Sequence, residues 1–80
     1  MNYPANYSGK QIVKLLQKYF GFVFISQKGS HIKLNKLKDG SSITVIVPNH
    51  AELATGTLHN ILRQARIEPA EFLKISGKER

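Results

Sequence analysis

His31 is the side chain best placed in this sequence to move a proton. It follows the turn-forming pair Gly29-Ser30 and stands between two lysines in the run Gln27-Lys28-Gly29-Ser30-His31-Ile32-Lys33. An imidazole gives and takes protons near neutral pH, and ammonium groups on either side of it attract phosphate oxygens. That combination suits general acid–base work on a phosphodiester, and the 2′-hydroxyl of RNA would supply an internal nucleophile. DNA lacks that hydroxyl, so it should survive.

Other chemistries lack their parts. The carboxylates Asp39, Glu52, Glu68, Glu71 and Glu79 are scattered, and His31, His50 and His59 show no metal-ligand spacing. No metal site and no cofactor is therefore expected. Gly-rich phosphate loops and serine-nucleophile elbows are also missing. Two bland readings stand beside the catalytic one. His31 could serve a non-catalytic RNA-binding module as a phosphate donor, or the chain could be a plain protein-interaction domain without salt-sensitive RNA binding.

The elements that hold this run must come from one small domain. The chain has 80 residues, read as a single domain over 1–80, and 41% hydrophobic residues suffice for one two-layer core. A formal charge of +7 points to a polyanionic partner, with nucleic acid ahead of an acidic protein or a membrane surface. No cysteine is present, so stability must come from packing, as in a reducing cytoplasm. The start Met1-Asn2-Tyr3-Pro4 is not a signal peptide, and no run is apolar enough to span a bilayer. A soluble cytoplasmic protein, monomeric when free and without a membrane partner, is the expectation.

Residues 1–7 read as a flexible lead-in. Ser8 and Gln11 form a capping box for a first helix with Ile12, Leu15, Leu16 and Tyr19 on its apolar stripe, widened by Val13 and Phe20 and stopped by Gly21. Lys10, Lys14 and Lys18 make a basic ridge on its other side, either a solvated face or a grip on a phosphate backbone or an acidic partner. Residues 22–27 are aromatic and β-branched, with apolar character on both faces, which predicts a strand buried on both sides. A second strand over 31–36 alternates so that Ile32 and Leu34 face the core while His31 and Lys33 point outward. Asp39-Gly40 marks a hairpin turn into a third strand over 43–47, ended by Pro48. Thr55 or Thr57 caps a second helix that buries Leu58, Ile61, Leu62 and Ala65. Pro69 starts a short third helix carrying Phe72 and Leu73, and residues 76–80 should fray. The order α-β-β-β-α plus a short terminal helix is an α+β fold, a three-stranded antiparallel sheet with helices on one face.

The ordered set Ser8-Gly9-Lys10, Gly21-Phe22 leading into Gln27-Lys28-Gly29-Ser30-His31, Val47-Pro48-Asn49-His50, Gly56-Thr57-Leu58 and Ile61-Leu62-Arg63-Gln64-Ala65 resembles the HicA (YcfA-like) toxins of type II toxin–antitoxin systems. The likeness runs over roughly residues 8–73. It implies a fold like the double-stranded RNA-binding domain, an mRNA-cleaving endoribonuclease activity, and neutralisation by a HicB-type antitoxin encoded alongside. In that family the histidine of Gly-Ser-His is catalytic, and it corresponds to His31. RNA contacts are expected from Lys28, Ser30 and Lys33, from Lys10 and Lys14 on the first helix, and from His50 and Arg63. His50 reads first as a loop or capping histidine, with an aid to RNA or antitoxin binding as the alternative, and His59 as a helix-surface residue. The chain departs from the family at Ile32, where members often carry a histidine or polar residue, and at Arg66, where they often carry glycine.

Overall fold

The computed structural model describes residues 6–77. Helix α1 (Gly9–Tyr19) is followed by strands β1 (Val23–Lys28), β2 (His31–Lys38) and β3 (Ser41–Pro48), then by helices α2 (Thr55–Ala65) and α3 (Pro69–Ser76). The strands form one antiparallel sheet in the order β1-β2-β3. Fold class and element order match the reading from sequence.

The start of α1 is secured as the capping box requires: the Gln11 amide donates to Ser8 Oγ at 3.1 Å, and the Ser8 amide donates to Gln11 Oε1 at 2.8 Å. At its end Gly21 takes φ 77°, and the Phe22 amide reaches back to the Leu16 carbonyl at 3.2 Å. The hairpin between β2 and β3 turns on Asp39 and Gly40, both with positive φ, as the Asp-Gly pair demands. The turn between β1 and β2 uses Gly29 at φ 59°, with Ser30 second.

One face of the sheet is apolar and buried. Ile32 and Leu34 of β2 and Ile43, Val45 and Val47 of β3 lie under Ile12, Leu15 and Leu16 of α1 and Leu58, Ile61 and Leu62 of α2. Phe72 of α3 and Leu53 of the loop close the same core. Each such side chain, fully buried, contributes on the order of 1.5–3 kcal/mol.

Four sequence readings need correction. β1 is not buried on both sides: it begins at Val23, all of its residues are exposed, and only Phe22 just before it is in the core. Its apolar residues promised burial, but it is an edge strand and the helices pack mainly on β3. Neither Thr55 nor Thr57 caps α2; Ala54 holds that place without a side-chain hydrogen bond. Tyr7, assigned to the lead-in, is buried, packs edge-on against Phe72 at 5.5 Å, and accepts the Leu53 amide on its carbonyl at 2.7 Å. Ser76, assigned to the fraying end, is a buried part of α3, its hydroxyl donating to the Leu73 carbonyl at 3.1 Å. The rest of both end readings, residues 1–5 and 78–80, lies outside the described residues.

Among the described residues no helix is long and apolar enough to cross a membrane.

Candidate active site

His31 is the first residue of β2 and is exposed. Alternation along β2 sends Ile32 and Leu34 into the core, which leaves His31 and Lys33 together on the open face of the sheet, their Cα atoms about 7 Å apart. The register supplies the second ammonium group, because Lys28 of β1 is paired directly with His31. Cross-strand partners hold their Cβ atoms about 5 Å apart on one face, so the Lys28 stem starts beside the imidazole. On its other side His31 is paired with Pro48.

The open face is concave here. Ser26, Gln27, Lys28, His31, Lys33 and Ile46 line a groove of about 580 Å³, with no carboxylate among them. A bulge makes this set. Phe24 pairs with Leu34 but Ser26 pairs with Lys33, so Ile25 is the extra residue and Ser26 is turned to the open face beside Lys33 and its other partner, Ile46. Further along the same face Asn35 donates to Ser42 Oγ at 2.7 Å and Thr44 Oγ1 at 3.1 Å. That end of the face is already satisfied; the His31 end is not occupied by such bonds.

The turn holding the site is tied from two directions. The Gln27 side-chain amide donates to the Gly29 carbonyl at 3.0 Å, and the Asn49 amide donates to the Ser30 carbonyl at 2.6 Å. The next residue, His50, accepts the Gly9 amide on its carbonyl at 2.9 Å. Gly9 is packed so tightly that a Cβ there would meet the Pro48 carbonyl oxygen and lie 2.9 Å from Asn49 Cα. The Gly29-Ser30 turn, the 48–50 loop and the start of α1 are thereby bolted into one end of the molecule.

The candidate residues fall into three groups. Lys28, His31 and Lys33 share the groove, with Ser30 exposed in the adjoining turn. Lys10 and His50 share a separate hollow of about 280 Å³ with Ser8, Asn49 and Ala51, next to the turn. Lys14 is exposed on α1, and Arg63 lies apart on α2, donating to Asn60 Oδ1 at 2.8 Å. Of the other ridge lysines, Lys18 holds its ammonium 5.3 Å over the Tyr19 ring. Ser26 and Ile46 line the groove and were not singled out from the sequence. Period-two spacing between Val45 and Val47 marks Ile46 as outward-facing, but only the strand register puts it next to Lys33. No group of three or more His, Cys, Asp or Glu among the described residues is placed to hold a metal ion.

Fold and site together define a small basic α+β domain that presents one histidine among lysines on an uncovered sheet face. The family model described as the HicA toxin of bacterial toxin–antitoxin systems matches residues 9–67, and the chain belongs to that family. Membership gives it the toxin's role in such a pair and implies an antitoxin as its partner. No curated protein and no solved structure matches the chain. The departure at Arg66 has a structural consequence: this residue sits in the left-handed region at φ 60°, where it ends α2, and the following Ile67 amide donates back to the Leu62 carbonyl at 3.0 Å. Such a position favours glycine.

Proposed function

We propose that this toxin is an endoribonuclease that cuts mRNA with His31 as its catalytic residue, and that a HicB-type antitoxin restrains it in the cytoplasm. The observation that carries the reading is the row Lys28, His31, Lys33: an exposed imidazole flanked by two ammonium groups in an open groove without carboxylates. In the reaction the ribose 2′-oxygen attacks the adjacent phosphorus and the P–O5′ bond breaks, leaving a 2′,3′-cyclic phosphate and a 5′-hydroxyl. His31 takes the 2′-hydroxyl proton or delivers one to the departing 5′-oxygen. Lys28 and Lys33 face the phosphoryl oxygens and stabilise their growing negative charge. Ser30, in the neighbouring turn, and Lys10 and His50, at the same end of the molecule, extend the phosphate-binding surface, and Lys14 and Arg63 contribute more distant contacts. The donors need no metal ion, since the nucleophile belongs to the substrate.

A labelled transcript incubated with the purified protein tests this. Cleavage should persist in excess EDTA, yield cyclic-phosphate ends, and fail where the attacking ribose is replaced by deoxyribose. His31→Ala should lower the rate by about 10³-fold while RNA affinity stays nearly unchanged. RNA bound but cut by neither protein would make this a non-catalytic RNA-binding module. Activity lost in EDTA and restored by magnesium would overturn the metal-free mechanism.

A further inference from the structure

The two edges of the sheet are finished differently. At the outer edge of β3 a helix supplies a partner: the Ile46 amide donates to Gln64 Oε1 of α2 at 3.2 Å. β1 forms the other edge, with no strand beyond it among the described residues. Its residues Val23, Phe24 and Ile25 are 55%, 52% and 50% exposed, although the chain otherwise encloses most of its large apolar side chains. Three consecutive apolar residues on an edge strand are a liability unless something covers them.

We propose that the antitoxin covers them by strand addition: an extended antitoxin segment pairs with the outer edge of Val23–Lys28, places apolar side chains on Val23, Phe24 and Ile25, and turns carboxylates toward Lys28. The proposal rests on the antitoxin that family membership implies, and not on how His31 acts. A row of backbone donors and acceptors is matched by another peptide, while apolar side chains offer nothing to a phosphate backbone. A second copy is a poor occupant, because each copy brings a charge of +7 and two such copies repel. An acidic segment gains from the same charge. Continuity with the groove adds a consequence: β1 ends at Lys28, directly across from His31, so a strand seated on β1 arrives at the rim of the site.

Amide hydrogen exchange on the unmodified chain, alone and bound to the protein encoded beside it, reads the edge directly. Amides of residues 23–28 should exchange at least about tenfold more slowly in the complex. The double variant Phe24→Asp, Ile25→Asp, with its fold checked by circular dichroism, should bind that protein about 30-fold more weakly and bind RNA as before. Unchanged exchange in the complex overturns the proposal, whether or not the variant folds. Slowing that grows with the concentration of the chain alone assigns the edge to a second copy, and a variant impaired only toward RNA assigns it to nucleic acid. Failure of the neighbouring protein to bind the unmodified chain also overturns it. Transcript cleavage is scored separately, so an unprotected β1 with intact cleavage removes this inference and leaves the ribonuclease reading standing.

Discussion

Phe24, Leu34 and Val45 stand in one row across the three strands, yet Leu34 and Val45 are completely buried while Phe24 keeps 52% of its surface in water. All three are apolar and all three are in strands of one sheet. The difference is the second layer, since α1 and α2 lie against β3 and the row runs out of cover before it reaches β1. β3 and the core face of β2 therefore carry stability, and β1 carries access. His31 sits on the seam, on a strand anchored through Ile32 and Leu34 but with its own side chain on the uncovered face. A site built this way can be open without being loose.

Leu34→Ala tests the covered end of that row and should destabilise the chain by about 3 kcal/mol, read as a lower urea midpoint at unchanged slope. Next in size is Gly9→Ala, which would push a methyl group into the backbone at Pro48 and Asn49. We expect a loss of about 2 kcal/mol and faster amide exchange in the 48–50 loop; a neutral result would mean that the end holding the site is not rigidly joined to α1. Arg66→Gly should act in the opposite direction. It relieves a left-handed φ of 60° at the end of α2 and should raise stability by about 1 kcal/mol, seen as a thermal midpoint about 4–8 °C higher. Phe24→Ala should cost the isolated chain only about 0.5 kcal/mol. A cost for Phe24→Ala equal to that of Leu34→Ala would break the comparison, because it would make β1 part of the core.

Much of this arrangement was legible from neighbouring residues. Ser8 and Gln11 announced the capping box, Asp39-Gly40 the hairpin, and the spacing of Ile12, Leu15 and Leu16 the buried stripe, because each depends on contacts a few residues apart. The alternation of His31, Ile32, Lys33 and Leu34 likewise marked which side chains would face outward. Val23, Phe24 and Ile25 misled for a physical reason: apolar residues record what a strand can bury, not whether a helix is there to bury it. Tyr7 shows the converse, a residue in an unpatterned segment that finds its partner in Phe72, far along the chain.

The sequence by itself determined the element order, the core stripe of each helix, the basic charge and the histidine among lysines, since these follow from local backbone preference and side-chain chemistry. Only the tertiary structure decided that Lys28 stands opposite His31, that Ser26 and Ile46 join them, and that β1 is left uncovered. Those outcomes depend on strand register, on one bulge at Ile25, and on where two helices come to rest, and such long-range choices are made by packing the whole chain at once.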